Sequence, residues 1–273
     1  MEVEKKWLKK IYNFSKSAFL KCNLPSHDHT HHLRVWNYCK EIIISNSKVK
    51  SFLYFEIENI IIAALFHDIG MIKTVDIKHG VESRKICEEF FRNYSLPQPV
   101  GYKEILSAIE RHDDKSYKAK DNDSLSTLSI LSIADDLDAF GIIGVLRYTE
   151  IYYLRNPNIY QLPNDILKNL DIRYNNFIAK YPVLTEFNKI HTIRYKKIQS
   201  YFVDLEREMQ NYSRNENNGA IGFLNFVIEN FIKTKNDIES FSKSIISDDI
   251  YINRINNLLQ EELKLSKEMN KEM

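Results

Sequence analysis

The strongest constraint on this chain is how rarely it can turn. Seven glycines and six prolines stand among 273 residues, about 5% against about 12% in an average protein. A β-sandwich or a doubly wound α/β fold needs turn residues at nearly every strand end, so this scarcity points to an all-α chain. The apolar pattern agrees. Trp7, Leu8, Ile11, Phe14, Phe19 and Leu20 recur at spacings of three and four with lysines between them, the period of a helix with one buried stripe. A first helix is expected over 3–21, and Pro25 breaks the chain after it. Further helices are expected over 30–45, 55–68, 79–93, 102–112 and 124–139. Gly70 reads as a C-terminal glycine of the third helix. Pro97 and Pro99 mark a loop, the polar stretch 113–123 reads as an exposed loop, and Gly141 and Gly144 open the next helix.

The texture changes near residue 155. Proline loops at Pro157 and Pro163 lead to helices expected over 164–180 and 184–212. The second of these has Ile190, Ile193, Ile198, Tyr201, Phe202 and Leu205 as its expected buried side. The Asn-rich break Ser213–Gly219 precedes helices over 221–235 and 247–270. Two parts are therefore expected, 1–154 and a helical extension 155–273. The long helix needs an apolar cover to offset its ordering cost, from residues 140–153 or from a second subunit in a homodimer.

Lys and Arg number 38 against 37 Asp and Glu. This balance gives no general attraction to nucleic acid or an anionic membrane. The longest apolar run, Ile60–Phe66, is seven residues, against about 20 needed to span a bilayer. The opening MEVEKKWLKK has no apolar signal-peptide core. Three cysteines form neither a disulfide framework nor a CxxC pair, so a cytoplasmic location is expected. There is no P-loop and no GxGxxG.

The chemistry sits in the histidines. Seven of eight fall in the first 112 residues, leaving only His191 beyond. His27, His29, His31 and His32 straddle a loop and a helix start. His67-Asp68 follow the apolar run IIIAALF, where a charged pair is costly unless compensated. His79, His112 and the run Ala134-Asp-Asp-Leu-Asp138 follow. Imidazole with carboxylate suits Mn, Fe, Co, Ni or Zn.

In this order the residues resemble the HD-domain metal-dependent phosphohydrolase superfamily, whose pattern is H…HD…D on a helical bundle. In that family a His stands three residues before an Arg-Val pair, here His31 before Arg34-Val35. His67-Asp68 match the signature doublet, and Ala134-Asp135-Asp136-Leu137 matches the closing Ala-Asp-x-Leu. The stretch from Ala134 to Arg147 is most similar to small bacterial nucleotide phosphohydrolases of the superfamily. The resemblance covers about 20–150. It implies one ion on His31, His67, Asp68 and Asp135, with a second on His79 and His112 as in dinuclear members. It also implies hydrolysis of a phosphate ester or anhydride in a nucleotide-like substrate, with Asp68 in the catalytic machinery. His29 is the alternate first ligand under a shifted register; His27 and His32 read as loop or supporting residues.

Arg34, on the same helical face as His31, joins Lys73 and Arg147 as candidate phosphate clamps, since their donors match phosphoryl oxygens. Asp138, one turn after Asp135, is a candidate to orient a ligand histidine or hold an arginine. Asp136 is expected to point away from the metal. Tyr148, Tyr152, Tyr153 and Phe140 form a stripe suited to the core or to stacking on a base. Two rival readings stand beside the hydrolase. One is a di-iron oxygenase on the same six residues, separable by iron content and O2 uptake. The other is a metal-stabilised module that binds a nucleotide without turnover.

Overall fold

The computed structural model describes residues 1–273 except 21, 23, 48–49, 116–123, 211–216 and 272–273, with backbone alone for 269–271. Most of the expected loop 113–123, and residues 213–216 of the Asn-rich break, lie outside the described residues. Among the described residues the chain forms helices and no strand, as the scarcity of turn formers requires. The helices are α1 (Glu2–Phe19), α2 (His29–Ser45), α3 (Tyr54–Phe66), α4 (His79–Asn93), α5 (Tyr102–Arg111), α6 (Thr127–Asp138), α7 (Gly141–Arg155), α8 (Leu162–Lys180), α9 (Thr185–Gln210), α10 (Gly219–Val227), α11 (Ile238–Ser244) and α12 (Ile250–Lys271). A 3-10 turn, Ile69–Ile72, follows α3, and a π turn, Ile228–Ile232, follows α10.

Contacts divide the chain into two compact units. The first comprises Met1–Cys22, His27–Leu137 and Asn176–Phe187; the second comprises Asn23–Ser26, Asp138–Asn175 and Asn188–Met273. The chain passes between them repeatedly, so neither is one continuous stretch such as 1–154 or 155–273.

In the first unit α3 is the central element, packed against α1, α2, α4 and α5. Its run Ile60–Phe66 is buried throughout, and each large side chain there contributes about 1.5–3 kcal/mol. Paired polar groups fix the helices around it. The Trp7 indole donates to Glu58 at 2.7 Å, and the Trp36 indole donates to Glu4 at 2.9 Å. Asp28 caps α2, accepting from the amides of Thr30 and His31 at 2.9 and 3.3 Å. Tyr181, from the later segment, donates to the Ser124 carbonyl at 2.8 Å.

Gly70 differs from its expected role. Helix α3 ends at Phe66, with His67 as its C-cap, and Gly70 lies inside the 3-10 turn without a positive φ. Its reason is space: a Cβ there would meet the His79 carbonyl oxygen at 2.1 Å and the Ser83 nitrogen at 2.5 Å. The glycine lets the turn after α3 press against the first turn of α4.

In the second unit α7 is buried from Gly141 to Ile151 and packs against α10 and α12. Two helix starts share one device. Gly141 has φ +83°, and the next two amides, Ile142 and Ile143, donate to the Glu262 carboxylate at 2.9 and 3.1 Å. Gly219 has φ +65°, and the next two amides, Ala220 and Ile221, donate to Glu208 at 3.1 and 3.0 Å. Each carboxylate satisfies orphan donors where the helix dipole favours negative charge.

The buried side expected for α9 needs correction at its start. Ile190 and Ile193 are 57% and 52% exposed. The buried line instead runs Phe187, His191, Tyr195, Ile198, Tyr201, Phe202 and Leu205, a continuous three-and-four spacing that leaves the two isoleucines on the other side. Leu20, expected on the buried stripe of α1, is 77% exposed.

Candidate metal centre

Six side chains meet inside the first unit, each delivered by a helix end. Asp28 orients the first turn of α2, which carries His31. His67 closes α3, and Asp68 follows it into the 3-10 turn. His79 begins α4, His112 closes α5, and Asp135 lies in the last turn of α6. All six are nearly or fully buried.

They form two groupings that share Asp68. In the first, ligand atoms of His31, His67, Asp68 and Asp135 all lie within 4.8 Å of one another. His31 Nε2 is 3.0 Å from His67 Nε2, 3.2 Å from Asp68 Oδ2 and 3.6 Å from Asp135 Oδ1. In the second, Asp68 Oδ1 is 3.2 Å from His79 Nε2 and 2.9 Å from His112 Nε2, and the two rings' Nε2 atoms are 3.3 Å apart. The two Asp68 oxygens therefore face different groupings.

The donor chemistry fits a cation. Three rings hold their Nδ1 atoms at carbonyl oxygens three residues back: His67 at Ala64, 2.8 Å; His79 at Asp76, 2.7 Å; His112 at Ile109, 2.7 Å. Nδ1–H donates there, so in each neutral ring Nε2 carries the lone pair. The facing Nε2 atoms of His79 and His112 then cannot hydrogen-bond to each other without an added proton, and a metal ion satisfies both. Donors about 2.1 Å from an ion stand about 3.0–3.4 Å apart when adjacent, the range of His31–His67, His31–Asp68, His79–Asp68 and His79–His112. The backbone carbonyls behind the rings also orient metal-binding histidines.

The electrostatics follow from burial. Burial, opposed by Asp68, pushes the His67 imidazole down to about 3, so the ring is a neutral donor. Burial also pulls on His79, but the Asp68 carboxylate outweighs it and holds that imidazole up at about 9. Burial raises Asp68, yet the imidazoles packed against it, His67 first and then His112, His31 and His79, hold it well below the usual carboxylate range.

The remaining histidines support this centre or lie apart. His32 is fully buried, with its Nδ1 3.0 Å from Ser15 Oγ and its ring 5.1 Å from the His67 ring. Burial drives its imidazole well below the ordinary value. The His27 ring is 5.7 Å from that of His31. His29 is half-buried, with Nδ1 3.4 Å from Asp28. His191 is buried in the second unit, where Arg194 Nη1 lies 3.2 Å from its Nδ1.

The candidate cations and Asp138 occupy other places. Arg34 is buried and donates to Thr30 Oγ1 at 3.1 Å. Lys73 is exposed just after the 3-10 turn. Arg147 and Asp138 form a buried pair at 3.2 Å within the second unit. Asp138 belongs to neither grouping. Tyr148 and Phe140 are buried in the second unit. The sequence reading missed Lys115. Its ammonium lies 3.2 Å from Asp135 Oδ2 and 2.9 Å from the fully buried Asp136. Its signal was the spacing His112-Asp-Asp-Lys115, which places a cation one short turn beyond a ligand candidate.

The helical architecture and the buried imidazole–carboxylate groupings are consistent with a divalent metal site. Residues 29–139 match the family model of the HD domain, and the chain carries an HD domain over that range, with all six residues inside it. No curated protein matches the chain, and no solved structure matches it. No described helix is long and apolar enough to cross a membrane.

Proposed function

We propose that this protein is a metal-dependent phosphohydrolase with two ion sites, acting on a phosphate ester or anhydride of a nucleotide-like substrate. The observation that carries the reading is the division of Asp68, one oxygen toward His31 and His67 and the other toward His79 and His112. His31, His67, Asp68 and Asp135 would hold one ion; Asp68, His79 and His112 would hold the other. Divalent ions so held supply Lewis-acid polarisation of a phosphoryl oxygen and a water acidic enough to ionise near neutral pH.

The protein's own residues do the rest. The carbonyls of Ala64, Asp76 and Ile109 hold Nδ1 of three rings and so aim each Nε2 inward. Burial keeps His67 neutral at working pH. Lys115 holds Oδ2 of Asp135, whose Oδ1 lies 3.6 Å from His31 Nε2. Its ammonium, about an eighth exposed at the rim, is placed to meet phosphoryl charge. Preorganised charge of this kind is the main protein contribution to phosphoryl transfer.

The test is metal analysis of the purified chain, followed by assays on nucleotides and sugar phosphates with each of Mn, Fe, Co, Ni and Zn. Two equivalents of metal with phosphate release that disappears in Asp68→Ala is the expected result. Bound iron with O2 uptake and no phosphate release from any substrate would replace the hydrolase with an oxygenase.

A further inference from the structure

We propose that a groove in the second unit, walled by α9 and α12 beside the start of α7, binds a phosphate monoester carried on a flat or apolar body. It is separate from the metal centre in both residues and chemistry. The cavity has a volume of about 320 Å3, within the roughly 300–1,000 Å3 of small-molecule sites.

Its lining has two characters. Lys196, Lys197 and Ser200 come from α9 and Arg254 from α12, while Tyr201 and Ile255 are buried apolar floor. Among the described residues no carboxylate lines it. The chain's charges nearly balance, and several cations of this unit take partners: Arg207 with Asp204, Lys233 with Glu229, and Lys243 and Lys267 both with Glu239. Lys196, Lys197 and Arg254 have no ion-pair partner among the described residues.

Three like charges around one concavity repel, and an anion in the groove relieves that repulsion. Lys196 and Ser200 stand one helical turn apart on the same face, offering an ammonium and a hydroxyl to one group. The Arg254 guanidinium stands 5.6 Å over the Tyr251 ring, whose hydroxyl is tied to Asp204 at 3.1 Å. A ring fixed in this way supports a planar cation whose fork matches phosphate oxygens. The groove's open apolar side chains argue for more than a bare ion, because a ligand without an apolar part would leave the exposed Ile193 and the partly exposed Leu258 unmatched.

The experiment is calorimetric titration of the full chain with AMP, with 1-oleoyl-lysophosphatidate below its micellar concentration, and with inorganic phosphate. Lys196→Glu/Arg254→Glu is the groove variant, and Lys9→Glu/Lys10→Glu on α1 carries the same change of net charge as a control. At least one monoester should bind the wild type, lose at least about tenfold in affinity in the groove variant, and bind the control normally. Inorganic phosphate should bind at least about tenfold more weakly than that monoester. The AMP and lipid arms decide whether the body is a base or an acyl chain. Failure of both monoesters to bind overturns the proposal, as does wild-type affinity in the groove variant or equal binding of inorganic phosphate. Should the double variant fail to melt like the wild type, Lys196→Gln/Arg254→Gln carries the same test with a smaller charge change.

Discussion

At the residue scale the centre turns on Asp68, whose two oxygens serve different sets of histidines. Asp68→Asn preserves shape but replaces one anionic oxygen with an amide donor, so both sites should empty. His79→Ala should remove one of two equivalents, since His79 belongs only to the second grouping. Elemental analysis after dialysis separates these outcomes, and equal losses in the two variants would contradict the shared-carboxylate arrangement. Lys115 makes a different prediction because it reaches the centre through the carboxylates of Asp135 and Asp136 and the carbonyl of His112. Lys115→Met should lower turnover about 10–100-fold, the usual cost of losing a group that orients a metal ligand, with Lys115→Arg recovering part of it. A Lys115→Met enzyme with wild-type kcat and KM would reduce that contact to an ordinary ion pair at the rim.

At the element scale the helix ends do the positioning, and they are where single substitutions should act. Glu262 holds two amides at the start of α7 and is 8% exposed. Glu262→Ala should cost about 2 kcal/mol in chemical denaturation, within the range for charged hydrogen bonds to buried donors; Glu208→Ala, at a half-buried carboxylate, should cost less. Gly70→Ala should do more than destabilise. The atoms its Cβ would meet are backbone atoms of His79 and Ser83, so the start of α4 must shift and His79 must move with it. Loss of metal from the second grouping at lower temperature than unfolding would show that coupling. These ends also explain what was legible in the sequence. Helices with a long apolar stripe and a breaker at each end, such as α2 and α4, could be read directly, as could the His31, His67-Asp68 and Asp135 pattern. Helix α11 has seven residues, too few for a period to emerge. Ile190 and Ile193 misled because hydrophobicity alone does not say which of two overlapping faces is covered, and His191 and Tyr195 take the buried one. Lys115 was hidden because its partners Asp135 and Asp136 lie 20 positions and more away, a distance that only the fold closes.

At the scale of the whole molecule, metal and chain connectivity each make a prediction about stability. Ions that bind only the folded chain stabilise it by about 2.7 kcal/mol when free metal stands at 100 times Kd. Chelation should therefore lower the melting temperature of the wild type, and much less that of Asp68→Asn; equal shifts would place the chelator's effect elsewhere. The second prediction concerns a cut after Tyr153. Such a fragment keeps the HD domain range 29–139 and every residue of the metal centre. Yet it retains most of α7 without α10 and α12, the helices that cover it in the second unit, and without the Glu262 carboxylate that caps it. Ile142, Ile143, Val145 and Leu146, all buried in the full chain, would lose that cover. The cut also removes Asn176–Phe187 from the first unit, and with it the Tyr181 hydrogen bond to Ser124 and the buried Phe177. Exposed apolar surface on this scale drives association, so the 1–153 fragment should aggregate or lose its cooperative melt even with metal supplied. Light scattering and a thermal melt are sufficient to test it. A monomeric fragment with a sharp transition and full metal content would mean that the HD domain folds without the later helices, and that the segments crossing between units are decoration.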